Sequence, residues 1–441
     1  DSPLWSHLVH ICAQIARMPR HVTQHSGGMV VSSRPLNEVV PMQPARMEGR
    51  TLIQWDKDTV SDACMIKIDL LGLGMLSAVE ECLELIATQG EQPPDLARIS
   101  FEDPGVYAMI QQGATIGTFQ IESRAQIQTI LKTKPENLQD LVVQVSIVRP
   151  GPIVGGATKP WIQAREQYRR EGRADITYDH PSLEPYLKET YGVILYQEQI
   201  LQVAMVLANF TPGQADNLRR AMSRRRSEEA MERIWVDFHT GAVANGVSSE
   251  LARQVFDKIR GFARYGFPKA HAVSFAVLAY QTAYLRKYHL AELYTALLNQ
   301  YPMGFYPPHV LLNDARRAGT TVQPLDVNHS QPRCTVQGNA IRIGLGYLLG
   351  IRDVEAHVIW QERDAHGDYR SLPDLVRRVP LRREVVERLI LVGALDWTGL
   401  RRRELLWQLG LLWMQTPPTG VNRRGAGRTR ALSLPAPPSA T

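Results

Sequence analysis

Cys64-Met-Ile-Lys-Ile-Asp-Leu-Leu-Gly-Leu73 is the stretch at which this sequence changes its period. Up to Leu70 polar and apolar residues alternate along Met65-Ile-Lys-Ile-Asp-Leu70, as on a strand. From Leu71 to Gly90 the apolar residues fall at helical spacing, and the run stops on glycine. Upstream, residues 20–70 read as short strands and turns. His25-Ser-Gly-Gly28 gives a flexible backbone before the β-branched run Met29-Val-Val-Ser-Ser33. Still earlier, Trp5 to Ala16 has helical apolar spacing. Downstream, about 100 to 300 is mostly helical, broken by Arg149-Pro-Gly-Pro-Ile153 and by a basic stretch around Arg165–Arg173. The expected class is α+β, mostly α.

Composition frames this reading. The chain has 441 residues, long enough for two to four units that each bury a core. Hydrophobic residues make up 44% and charged residues 21%, a globular composition that excludes a wholly disordered chain. No apolar run approaches about 20 residues, so no membrane span is expected. The start lacks a basic segment followed by an apolar run, and Cys12, Cys64, Cys82 and Cys334 have no zinc spacing. A reducing cytoplasm is the expected compartment. Lys and Arg total 50 against 44 Asp and Glu, a charge of +6 that permits a polyanionic partner. Glu91-Gln-Pro-Pro-Asp95 marks the first boundary, and the proline-rich Tyr301–Pro308 a rigid connector. The expected units are 1–90, 91–303, 304–400 and a basic, Pro-rich tail at 401–441, disordered from Thr416 on.

Four groups of residues carry possible chemistry. Lys67 and Asp69 share one face of the strand. A carboxylate at a strand end suits Mg²⁺ and a neighbouring ammonium suits a phosphate, although a surface ion pair uses the same residues. Asp56-Lys57-Asp58 reads as a solvated turn. Leu218-Arg-Arg-Ala-Met-Ser-Arg-Arg-Arg226 holds five arginines. Crowded guanidinium groups repel, and a bound polyphosphate reverses that cost; the alternative is a solvated face partly neutralised by Glu228 and Glu229. Lys269 and His271 sit at the start of a helix running to Tyr288, after a turn at Gly266 and Pro268. Cations there disfavour the helix itself and point to an anionic ligand, with Tyr265 placed to stack on a base. A capped turn with a core histidine is the competing reading. Finally, Ile343–Ile351 and Leu389–Leu395 read as apolar-glycine hairpins between helices, where backbone amides at Gly350 and Gly393 approach a DNA phosphate. Ordinary helix turns look the same.

Taken together, longer strings resemble the bacterial family C DNA polymerases, the DNA polymerase III alpha-like enzymes. Cys64–Leu73 with His25–Gly28 resembles their late palm. Ile116-Gly-Thr-Phe-Gln-Ile-Glu-Ser-Arg124, Val148-Arg-Pro-Gly-Pro152, Tyr191-Gly-Val-Ile-Leu-Tyr-Gln-Glu-Gln199, Leu218–Met222 and Tyr265–His271 resemble their fingers. The agreement runs over roughly 18–400. Gln300–Pro308 and Gln323-Pro-Leu-Asp-Val-Asn-His329 are similar to the error-prone, damage-induced branch. The resemblance implies a partial nucleotidyltransferase-like palm, helical fingers and a helix-hairpin-helix module. It implies two Mg²⁺ ions, primer-template DNA and dNTPs, with a sliding clamp and other lesion-bypass proteins as further partners. Asp69 matches a metal-binding catalytic aspartate and Lys67 a residue beside the triphosphate. Arg219, Arg220, Lys269 and His271 match phosphate-gripping positions, with Tyr265 near the base or sugar. Arg149, Arg224, Arg225, Gly350 and Gly393 are the candidate DNA contacts.

Two departures qualify this. Leu349 stands where a basic residue usually precedes the hairpin glycine. The family's Pro-Asp-x-Asp-x-Asp-Phe string, which carries its other two metal-binding aspartates, does not occur in the sequence. The chain is therefore expected to be a C-terminal fragment with little polymerase activity of its own. Residues 401–441 contain no convincing clamp-binding peptide. A noncatalytic DNA-binding module is the alternative function.

Overall fold

The computed structural model describes residues 3–414 other than 17, 19–24, 26, 46–48, 71–72, 150–151, 154–155, 223–227, 263–267 and 305. The chain divides at Gly74 into two compact units, 1–74 and 75–441. The first boundary thus falls at the glycine that opens a helix, not at the expected Glu91–Asp95 loop. The helix Gly74–Thr88 buries Met75, Ala78, Val79, Cys82 and Ile86 in an apolar cluster with residues such as Leu293 and Leu297. That burial joins it to the second unit.

In the first unit, the helix Pro3–Ile15 precedes two small antiparallel sheets. Strands β1 (Gly28–Val31) and β4 (Ile66–Asp69) pair with Gly28 opposite Asp69 and Val30 opposite Lys67. Strands β2 (Met42–Pro44) and β3 (Thr51–Ile53) form the second sheet. Alternation works as the sequence demands, putting Lys67 and Asp69 on one face of β4 and Ile66 and Ile68 on the other. Asp56 accepts a hydrogen bond from the Thr59 amide at 2.8 Å and from its hydroxyl at 2.7 Å. It caps the helix Lys57–Asp62, the turn role expected for it.

The second unit is built around the helix Lys269–Tyr288. Ala272, Ala276, Ala279 and Ala283 recur at helical spacing and pack into one apolar cluster with Leu141, Val142, Val145, Ile147, Val106 and Ile110. Small side chains let the helix Leu138–Ile147 come close along that stripe. On another side, Leu278 and Leu285 join Leu293, Leu297 and Leu311. Arg286, 5% exposed, locks these elements: it donates to Ala114 O at 2.7 Å, to Asp314 Oδ2 at 2.8 Å and to the Tyr294 hydroxyl. A separate cluster spans the helices Gln197–Ala208, Pro212–Met222, Glu228–Ala244 and Ser249–Phe262. Asn209 adopts the left-handed conformation (φ +53°) and ends the first of these, so that Pro212–Met222 folds back beside it.

The last region, expected to be an α-rich helix-hairpin-helix module, also carries a small sheet. Strands β5 (Thr321–Gln323), β6 (Thr335–Val336) and β7 (Ala340–Arg342) form a sheet of order β5-β7-β6, with β5 and β7 parallel. The first expected hairpin is therefore preceded by a strand and a 3-10 turn, Leu345–Tyr347, rather than by an α-helix. The helix Arg402–Met414 extends the module past residue 400. Leu405 and Leu409 are buried with Leu389, Ile390 and Leu395, which draws the first part of the expected tail into the core. Residues 415–441 lie outside the described residues, as do Arg224, Arg225 and Tyr265.

Candidate functional site

The carboxylate of Asp69 closes β4, and Lys67 Nζ donates to both its oxygens at 2.9 and 3.0 Å. His25 Nδ1 lies 4.0 Å from the same carboxylate. The antiparallel register explains the grouping, because Gly28, just after His25, is opposite Asp69. An ammonium and an imidazole are the neighbours these contacts give Asp69, whereas Mg²⁺ requires a set of oxygen ligands. Among the described residues no group of three or more His, Cys, Asp or Glu is placed to hold a metal ion. This donor set does not fit a two-ion magnesium centre by itself.

The fingers residues gather at the start of the helix Lys269–Tyr288. Pro268 leads into it with no side-chain cap of its own, so the first amides need an outside acceptor. Glu198, in the first turn of Gln197–Ala208, provides one: its two oxygens accept from the Lys269 amide at 3.1 and 3.0 Å. Lys269 Nζ donates to Glu189 at 2.6 Å and lies 5.8 Å from the Tyr196 ring centroid. Two residues on, the His271 ring stands 3.9 Å from that of Phe275. Burial, and then the nearby charge of Arg149, holds the His271 imidazole below its ordinary pKa. Burial likewise lowers the pKa of Arg149, which donates through Nε to Val145 O at 3.3 Å. His271 thus feels the charge of Arg149, a residue expected to contact DNA, while the Lys269 ammonium turns to Glu189.

Arg219 and Arg220 converge on Asp216. Arg219 Nη2 lies 2.8 Å from one of its oxygens and Arg220 Nε 2.7 Å from the other. This contact holds the Asp216 carboxyl below the usual carboxylate range, Arg219 first. Local neutralisation thus comes from Asp216, one turn before the pair. Glu228 and Glu229 were the expected partners; their side chains lie outside the described residues. Asp216 was legible from helical spacing, three and four residues ahead of the arginines. Glu198 was visible inside Tyr191–Gln199 but not readable as a cap for a helix about 70 positions away.

Gly350 and Gly393 mark two matching turns, with φ of +80° and +86°. The second joins the helices Arg383–Leu391 and Arg402–Met414 through a 3-10 turn, as expected of a helix hairpin. Around the first, Glu355 accepts from Arg382 Nε at 2.8 Å and from Arg352 Nη2 at 2.9 Å. These bonds, Arg382 first, hold its carboxyl well below the ordinary range.

Family models match the chain in the same order as these sites. A model described as the bacterial DNA polymerase III alpha NTPase domain matches residues 1–72. The bacterial DNA polymerase III alpha subunit finger domain matches 75–246, and a helix-hairpin-helix motif matches 319–405. The chain belongs to the bacterial family C DNA polymerases. Within that family it resembles the error-prone branch. It is 43% identical to the error-prone DNA polymerase of Mycolicibacterium paratuberculosis over 413 residues, which is 93% of this chain and 37% of the relative. Similar proteins of that description occur in Corynebacterium diphtheriae, 43% identical over 91% of the chain and 38% of the relative, and in Anaeromyxobacter dehalogenans, 42% identical over 90% and 36%. The chain spans little more than a third of the length of these relatives.

Proposed function

We propose that this chain is part of an error-prone DNA polymerase that acts in lesion bypass, supplying nucleotide-gripping fingers and a duplex-holding module. The observation that supports the reading is the helix start at Lys269, whose first amide, with no side-chain cap of its own helix, already holds a carboxylate, with His271 two residues on feeling the charge of Arg149. Such a place favours negatively charged oxygen, and the phosphates of an incoming dNTP are its natural occupant. Arg219 and Arg220 would add bidentate donors to the same polyanion. Asp69 would be one ligand of the divalent-metal centre of the complete polymerase, which the described residues of this chain do not form alone. Primer-template DNA would lie on the hairpin module, with a sliding clamp and other bypass proteins as partners of the whole assembly in the cytoplasm.

The second reading is a noncatalytic DNA-binding module. It is favoured by the existing ion pairs of Lys269 with Glu189 and of Arg219 and Arg220 with Asp216. Nucleotide dependence separates the two. Titration with a fluorescent dNTP should show binding that is weakened about thirtyfold when Arg219 and Arg220 are both changed to Ala, each guanidinium contact contributing of order 1 kcal/mol. Binding to a primed duplex should be nearly unchanged. Equal loss of both would leave only a general basic patch. Primer extension with Mg²⁺ and dNTPs should give no product with this chain or with Asp69→Ala. Extension that Asp69→Ala abolishes would show that the chain holds a complete metal centre.

A further inference from the structure

The first hairpin carries a device that its own sequence lacks. Leu349, directly before Gly350, is 80% exposed and brings no charge to the turn. Two arginines from beyond the hairpin reach it instead. Arg388, on the helix Arg383–Leu391, donates through Nη1 to the carbonyl of Leu349, 39 residues away. Arg382 donates through Nη2 to the carbonyl of Gly350 at 2.7 Å. A Cβ at position 350 would stand 1.7 Å from Arg388 Nη1, so glycine is required there for this approach as well as for its φ of +80°.

The second hairpin repeats the arrangement. Arg402 Nη1 donates to Leu391 O at 2.9 Å, and a Cβ at Gly393 would meet Arg402 Nη2 at 2.4 Å. The two differ in charge. Arg402 is paired with Asp396 at 2.7 Å, and Arg382 with Glu355 at 2.8 Å. Arg388 makes no salt bridge to any described residue. Arg352 and Arg382 share the carboxylate of Glu355, whereas Arg388 is held by the Leu349 carbonyl. A guanidinium fixed by a backbone carbonyl, partly buried and without a carboxylate, is oriented in advance for a phosphate oxygen.

We propose that Arg388 is the phosphate contact of the first hairpin, replacing from the neighbouring helix the charge that Leu349 does not provide, and that its ligand is the backbone of duplex DNA. This rests on the reading of the module as a duplex-holding surface. The test is the salt dependence of binding to a labelled primed duplex by the full chain. Arg388→Gln keeps a donor for Leu349 O and removes the charge. It should lower the slope of log affinity against log salt by about 0.9, one phosphate contact. Arg388→Lys should retain the slope, and adding Leu349→Arg to Arg388→Gln should restore it. An unchanged slope in Arg388→Gln would overturn the assignment. So would an equal fall in Arg388→Lys, which would place the effect in hairpin shape. Absence of duplex binding by the unaltered chain would overturn the duplex-holding reading along with it.

Discussion

At Lys269 two carboxylates already hold what a phosphate would want. Glu198 takes the backbone amide, and Glu189 takes the ammonium at 2.6 Å. The Glu189 pair is partly exposed on both sides, so its strength is that of a surface ion pair, about 0.2–1 kcal/mol. Glu189→Gln should therefore tighten triphosphate binding by roughly 1.5- to 5-fold, the same energy read as affinity. Lys269→Ala should weaken it. Calorimetric titration with a nonhydrolysable dNTP distinguishes these signs, and weaker binding in Glu189→Gln would mean that the carboxylate positions Lys269 rather than competes for it. At this scale the sequence was a partial guide. Spacing alone put Lys67 and Asp69 on one face, because a strand has only two. It could not show that Lys269 and Glu189, 80 positions apart, would meet, since that depends on how several helices pack.

Among the elements, two glycines with opposite surroundings make a paired test of packing. Gly241 lies in the helix Glu228–Ala244 where a Cβ would be 2.0 Å from the carbonyl oxygen of Ala208. That oxygen belongs to the end of Gln197–Ala208 and cannot rotate away, so Gly241→Ala must separate the two helices. A loss of about 3 kcal/mol or more is expected, comparable with severe overpacking. Gly410 is inside Arg402–Met414 with nothing within 4 Å of its Cβ position. Gly410→Ala should stabilise by about 0.5–1 kcal/mol through backbone entropy. Urea unfolding of the two variants should move in opposite directions. Helices such as Lys269–Tyr288 were legible because apolar residues, turns and prolines all agreed. The parallel pairing of β5 with β7 was not, because strands of three residues carry almost no periodic signal and their register is set by contacts made elsewhere. The extension of the core through Leu405 and Leu409 was hidden by the flanking arginines, which read as tail.

Across the whole molecule, burial is uneven. In residues 1–74 only Val40 and Val60 are buried hydrophobics among the described residues, while Met29, Val31, Ile66 and Ile68 are 45% or more exposed. The Leu138–Ile147 helix, by contrast, has all of Leu141–Ile147 buried. Local opening should follow this difference, and amides of β1 and β4 should show about a hundredfold lower hydrogen-exchange protection than those of Leu141–Ile147. Equal protection would indicate that the first unit unfolds only with the second. The formal surplus of six positive charges does not lie on these fingers cations, because Lys269 is paired with Glu189, and Arg219 and Arg220 share Asp216. An arriving anion must displace acids that are already in place. A single negative charge gains little by that exchange, whereas a chain of linked phosphates engages several released cations at once. If the proposed nucleotide site is correct, internal carboxylates would set a valence threshold there, screening out chloride and nucleoside monophosphates while admitting triphosphates.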